Sequence, residues 1–364
     1  MDNNTKESRK FWRVKTKAPS LSYIISHQLG ISTLLAQLLI NRGIYTVEQA
    51  REYLESGLAS MHSPELLCDL PKAVERIKEA IRCKEKIMVY GDYDADGVTA
   101  TALLVRTFHY LGVNVATYIP NRLAEGYGLH LDSLQKAVSE GITLLITVDC
   151  GISSVAEAKW AKDNKLDLII TDHHEPPAEL PQAYAIINPK RRECRYPFKE
   201  LAGVGVALKL AQALLGGYVN NSRGWQELLT FACIGTVADI VPLVGENRII
   251  VKNGLSMLAK PENNGLQALL EVTGLNQKLF EAREVGYVLA PRLNAAGRMG
   301  EPDIALNLLL TDDKSEARQL ADNLEKLNKL RKKIETEIFE EIRIMLDTDE
   351  AAAEEQVIVL ASPD

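Results

Sequence analysis

Acidic and imidazole side chains in this chain cluster at the ends of short apolar runs, in the pattern that divalent metal chemistry needs. Asp92, Asp94 and Asp96 follow the run 87–90, Asp149 follows 144–148, and Asp172, His173 and His174 follow 168–171. A further candidate, Asp239, lies in the apolar stretch 231–243. Three carboxylates within five residues repel one another unless a cation compensates. Oxygen ligands with one or two imidazoles suit Mn²⁺ or Mg²⁺ better than a structural zinc, and the cysteines form no cluster. Two such ions about 4 Å apart activate a water and stabilise the leaving oxygen of an in-line phosphoryl displacement. There is no P-loop and no Ser-His-Asp arrangement, so phosphoester hydrolysis is the reaction class implied. These residues alone do not choose among pyrophosphate, a cyclic dinucleotide and DNA.

Each motif has a plainer alternative. The Asp92-x-Asp94-x-Asp96-Gly97 run opens like an EF-hand, but a strand precedes it and Leu103 stands at the twelfth position, which excludes that calcium loop. Gly97 opens a helix whose N–H groups could face a phosphate. Asp149 alone could simply cap a helix. His173 and His174 on extended backbone point opposite ways, so one could meet metal and the other substrate, with Asp172 fixing a ring. Asp239 calls for a metal, an Arg partner or a helix terminus. Arg292, Asn294 and Arg298 lie among small residues that permit close approach to phosphate, or mark a surface helix–loop joint. The stretch 190–199 could track a nucleic-acid strand or be a solvated loop. Gly203-Val204-Gly205 lacks a third glycine and reads as close helix packing.

The elements that position these groups alternate. Helical periodicity fills 20–80, with Gly43 as a stop, Thr46 as an N-cap and Pro71 in a first turn. From 86, short apolar strands (86–90, 114–119, 144–148, 167–171, 184–188) alternate with helices (98–111, 131–140, 153–164), which predicts an α/β, doubly wound, mostly parallel sheet. Residues 203–310 read as mainly helical, and 312–346 as one amphipathic helix about 50 Å long. A new strand is expected at 356–360, which implies a truncated chain that a second α/β domain would follow. The domains are therefore placed at 1–80, 81–311, 312–347 and 348–364.

The 364 residues carry a net charge of −7, which excludes a generally basic nucleic-acid coat without excluding a nucleic-acid substrate. Five scattered cysteines argue against a disulfide framework, and no signal peptide or apolar membrane span is apparent, so the expected location is cytoplasmic.

Asp94-x-Asp96, Asp149 and Asp172-His173-His174 resemble the motifs of the DHH phosphoesterase superfamily. The wider runs 89–97, 147–153, 235–239 and 292–298 are similar to its single-stranded-DNA exonucleases, as are Phe11 to Val14 and Asn41 to Ile44. The resemblance implies 5′→3′ degradation of single-stranded DNA to mononucleotides in recombination and repair, by a monomer working with a single-strand-binding protein and a helicase. It implies two divalent cations held by Asp94, Asp96, Asp149, His173 and Asp239. It gives Asp92 as a further ligand or close neighbour, Asp172 as an orienting group, and His174 as a contact to the scissile phosphate. Arg292, Asn294 and Arg298 would bind the DNA backbone, and the long helix would join two core domains. A phosphoesterase acting on short oligonucleotides and a metal-free DNA-binding scaffold are the competing readings.

Overall fold

The computed structural model describes residues 13–216, 223–275, 280–348 and 357–359. It divides into two compact units, 1–60 and 61–364. The first contains α1 (Pro19–Leu29), α2 (Thr33–Asn41) and α3 (Val47–Glu55) around Ile25, Ala36, Leu39, Ile40 and Ala50. Thr46 caps α3 in a full capping box with Gln49.

In the second unit, α4 (Leu70–Cys83), with Pro71 in its first turn, leads into a five-stranded parallel sheet. Its strands are β1 (Lys86–Tyr90), β2 (Ala116–Tyr118), β3 (Ile142–Val148), β4 (Asp167–Thr171) and β5 (Ala185–Ile187), in the order β2-β1-β3-β4-β5. Helix α5 (Ala95–Tyr110) packs against β1 and β3 on one face. Helices α6 (Leu131–Ser139) and α7 (Val155–Asp163) cover the other, around Tyr90, Leu134, Leu145, Ala158 and Ile170. The expected doubly wound sheet is therefore present, and burial on both faces explains its near-continuous apolar strands. The strand order reverses between β1 and β3. In open α/β sheets the crevice at the carboxyl ends of such a pair is where ligands bind.

The helical remainder comprises α8 (Gly203–Leu214), α9 (Arg223–Ala238), α10 (Gly245–Leu258), α11 (Asn264–Thr273) and the short α12 (Ala282–Glu284). A π-helical turn, Val285–Leu289, runs into α13 (Ala290–Arg298), followed by α14 (Pro302–Leu310) and α15 (Lys314–Thr348). Helix α8 packs on α5, β3 and β4, beside the same switch point. Ala317, Ala321 and Leu324 of α15 are fully buried, whereas Leu330 and Ile338 farther along the helix are exposed.

Two expectations need correction. Helix α5 begins at Ala95 rather than 98, because Asp94 caps it and draws Asp96 and Gly97 into its first turn. Residues 357–359 form no strand, and 356 and 360 lie outside the described residues, as do Phe11 and Trp12. No single described helix is long and apolar enough to cross a membrane, although α1 and α2 as a bent pair pass that test by length and composition.

Candidate metal centre

The loops after β1, β3 and β4 bring the sequence-predicted carboxylates and imidazoles to one point. After β1, the Asp94 side chain accepts the N–H groups of Asp96 (2.9 Å) and Gly97 (3.0 Å). That removes the Gly97 N–H as a phosphate donor. The turn is tight: a β-carbon at Gly97 would lie 2.6 Å from that of Asp92. Asp96 is buried, and its carboxylate accepts the first two N–H groups of α8, Gly203 (2.7 Å) and Val204 (2.9 Å). The positive end of the α8 dipole therefore faces this carboxylate.

After β3, Asp149 adopts a left-handed backbone with φ of 62°. Asp tolerates that region better than most residues. After β4, Asp172 is fully buried and accepts the N–H groups of Ile152 (2.9 Å), His173 (2.7 Å) and His174 (3.1 Å). It also pairs with His174 Nδ1 at 2.8 Å. Burial pushes the Asp172 carboxyl up, but the hydrogen bond from His174 and its companions outweigh it and hold the group below the usual carboxylate range. The same bond raises His174.

His173 projects its Nε2 into a ring of carboxylates: Asp149 at 3.1 Å, Asp239 at 3.7 Å and Asp96 at 3.9 Å. Although close, Nε2 of His173 and Oδ1 of Asp149 make no hydrogen bond, and Asp92 Oδ1 is also buried without one. Contrary to the opposed orientation expected of extended neighbours, the two histidine rings lie 4.4 Å apart. The reason is local: the strand ends at Thr171 and the backbone bends at His174.

The charge balance without an ion is unfavourable. Burial, then Asp94, pushes Asp92 up to about 7. Burial, then Asp94, takes Asp239 to about 6. Burial, then Asp239, raises Asp96; burial, then Asp96, raises Asp149. Burial, then His174, lowers His173 to about 4, leaving a neutral imidazole able to ligate. Three overlapping sets could each hold a cation: Asp92, Asp94 and Asp149; Asp96, His173 and Asp239; and Asp149, His173 and His174. In each, the ligand atoms lie within 4.8 Å of one another. Asp149 and His173 are each shared between two sets. The first two sets, rich in oxygen and with the neutral His173 imidazole in the second, fit Mn²⁺ or Mg²⁺, and the buried unpartnered atoms are the groups a cation would satisfy.

The three residues assigned to the DNA backbone are differently placed. Asn294 Oδ1 accepts the N–H of Ala95 at 2.7 Å, so it helps cap α5. Arg292 donates to Glu325 (2.7 Å) and to the Val288 carbonyl (2.7 Å). Arg298 is exposed at the end of α13. The stretch 190–199 does not offer a stacking track. Tyr196 is buried and donates to Glu246 at 2.6 Å, Arg191 is buried against Asp69, and Lys199 donates to two backbone carbonyls.

Sequence reasoning missed several contributors. Tyr127 donates its hydroxyl to the Asp149 carbonyl at 3.2 Å and stands 3.2 Å from His174 Nδ1. Its signal was local: Gly126 and Gly128, with φ of 87° and 98°, hold the tyrosine between them. Arg122 stacks over the Tyr93 ring at 5.3 Å, beside Asp92 and Asp94. The Gly203 and Val204 donors left no comparable signal, because their partner is remote in sequence.

Known proteins are similar to this chain in sequence and fold. The DHH family, N-terminal domain, matches residues 86–236. The single-stranded-DNA-specific exonuclease RecJ of Bacillus subtilis (strain 168) is 44% identical over 340 residues, 93% of this chain and 42% of that protein. A crystal structure of exonuclease RecJ bound to manganese is 40% identical with a TM-score of 0.69, over 76% of this chain and 69% of that one. This chain belongs to the DHH family, in its RecJ group. RecJ from Thermus thermophilus, in complex with Mn²⁺, is 34% identical with a TM-score of 0.78, over 93% of this chain and 48% of that one. The chain spans about half the length of the curated RecJ relatives it matches.

Proposed function

We propose that this chain carries the catalytic centre of a metal-dependent exonuclease that hydrolyses single-stranded DNA 5′→3′ to mononucleotides in recombination and repair. The observation that carries the reading is the ring of buried, unpartnered ligand atoms around His173 and Asp149 at the β1–β3 switch point. Asp94, Asp96, Asp149, His173 and Asp239, with Asp92 beside them, would hold two divalent cations, Mn²⁺ or Mg²⁺. Bound there, the cations supply an activated water and neutralise charge on the phosphate during in-line displacement.

The chain's own residues supply the rest. The N–H groups of Gly203 and Val204 fix Asp96, and Asp172 fixes His174 through Nδ1. With Nδ1 held, Nε2 is the nitrogen that His174 offers to a phosphate oxygen. The His174 ring is half exposed, so a strand can reach it. Its raised pKa favours the protonated form, a charge-assisted donor to that oxygen. Arg298 would contact the backbone directly. Arg292 and Asn294 would act on DNA mainly by holding α13 against α15 and α5. A single-strand-specific nuclease needs separated strands, so a helicase and a single-strand-binding protein are the partners this reading assigns.

The test is Mn²⁺-dependent digestion of a long single strand labelled at either end. Early release of labelled mononucleotide from the 5′ end alone supports the reading. Cleavage confined to di- and trinucleotides would move the chain to the oligonucleotide phosphoesterases. Absence of metal binding in calorimetry would overturn it.

A further inference from the structure

Two large side chains stand in solvent near the end of α9: Ile240, next to Asp239, and Tyr287, on a turn that packs against α9. Ile240 is 88% exposed, and its φ is 61°. Its N–H bonds to the Val237 carbonyl at 3.3 Å, closing the end of α9. A β-branched residue in the left-handed region is an outlier, and glycine or asparagine makes the same turn more easily. Such strain concentrates at functional sites, where the surrounding structure holds it.

Tyr287 is 79% exposed and lies on the π-helical turn Val285–Leu289. Turns of this kind are rare and recur at functional sites. Its neighbour Gly286 faces α9, where an added β-carbon would lie 3.6 Å from Val237 Cγ1. Ile240 and Gly286, the neighbour of Tyr287, therefore adjoin the same residue, Val237, two positions before Asp239. Asp239 Oδ2 lies 3.7 Å from His173 Nε2, so the end of α9 that carries Ile240 adjoins the charged centre, and the turn that carries Tyr287 packs on the same helix.

Apolar faces beside a charged cluster do not bind phosphate; they suit the flat, weakly polar faces of bases. Building on the nuclease reading, we infer that Ile240 and Tyr287 form a nucleobase platform next to the metal centre. The Tyr287 ring stacks on one base, and the Ile240 methyls pack against the neighbouring base or sugar. Stacking of this kind tolerates any sequence, because every base has a π-face. It also favours single strands, whose bases are free to splay.

The test compares two strands of equal length and charge, oligo-dT and an abasic oligomer, both with cleavage-resistant phosphorothioate linkages. Binding is read by fluorescence anisotropy with Mn²⁺ present. The parent chain should prefer the base-bearing strand about tenfold. Tyr287→Ala and Ile240→Gly should each lose most of that preference while holding the abasic strand as before, and Tyr287→Phe should keep it. Both positions are exposed, so the variants should fold, which thermal melting checks. A parent chain that binds both strands equally, or an unchanged preference in both variants, would overturn the platform. Failure of the parent chain to bind either strand would instead remove the nuclease reading, and the platform with it.

Discussion

Gly203 stands against Asp149 with no room for a side chain between them: a β-carbon at Gly203 would lie 2.5 Å from Asp149 Oδ1. The same residue gives its N–H to Asp96. One glycine therefore lets the start of α8 come close enough to hold one carboxylate and brace another. Gly203→Ala should push Asp149 out of place and lower metal affinity about 10- to 100-fold, the usual cost of disturbing a ligand's support. Calorimetric Mn²⁺ titration checks this, with circular dichroism showing that the helical content survives. An unchanged affinity would mean that Asp149 has slack the packing does not suggest.

Asp149→Asn isolates charge from shape. Asparagine accepts the left-handed backbone at this position, so the loop should keep its form. Hydrolysis of single-stranded DNA should fall more than about 100-fold, since loss of a shared ligand should cost at least as much as loss of its support. DNA affinity should change little, because phosphate contacts dominate it. Activity within a fewfold of the parent in a steady-state assay would remove Asp149 from the ligand set.

How legible these features were depended on how local they are. The strands, the cap at Thr46, and the clustering of Asp92, Asp149 and His173 follow from short-range pattern and from the rule that sites gather at carboxyl ends of parallel strands. Asn294 bonding Ala95, and Gly203 bonding Asp96, join segments far apart in the chain, and no local periodicity encodes them. The basic stretch 190–199 misled because composition reports charge but not burial; Arg191 and Tyr196 spend their polar atoms on Asp69 and Glu246.

Without metal, the centre should make stability depend on pH in a defined direction. Asp92 and Asp239 are raised to about 7 and about 6, and Asp96, Asp149 and His174 are also raised. A raised group binds more protons folded than unfolded, so its stabilising contribution is present at low pH and lost as pH rises through the folded pKa. His173, lowered to about 4, opposes this only below its ordinary value. The metal-free chain should therefore melt at a lower temperature at about pH 8 than at about pH 5, and saturating Mn²⁺ should reverse the order. Scanning calorimetry with and without chelator decides it. A melting temperature that rises with pH in chelator would contradict the charge crowding.

Arg298 is exposed at the end of α13, whereas Arg292 is tied to Glu325. If Arg298 meets the backbone, Arg298→Ala should lower the salt slope of single-strand binding by about 0.7, the value for one phosphate contact. Arg292→Ala should act differently, loosening α13 from α15 and lowering the melting temperature as well as affinity. Binding isotherms across a range of salt concentrations separate the two. An unchanged slope for Arg298→Ala would place DNA elsewhere.

Lys209 and Glu246 form an ion pair at 2.6 Å, at 0% and 2% side-chain exposure. Glu246 also accepts from Tyr196 and from the N–H of His62, and Lys209 donates to the His62 carbonyl. Burial lowers the Lys209 pKa and Glu246 partly restores it, so the pair survives through mutual compensation. Glu246→Leu should leave a buried, uncompensated ammonium and destabilise the fold by about 3–5 kcal/mol, read as a shift in the denaturant midpoint. Adding Lys209→Met should recover much of that loss, because a well-packed apolar pair of similar volume often equals a buried ion pair. Since Glu246 begins α10 and Lys209 lies on α8, whose first turn holds Asp96, the single variant should also weaken Mn²⁺ binding. The double variant should restore it. If the single variant lost stability but kept its full metal affinity, α8 would be held at its N-terminus without help from this pair.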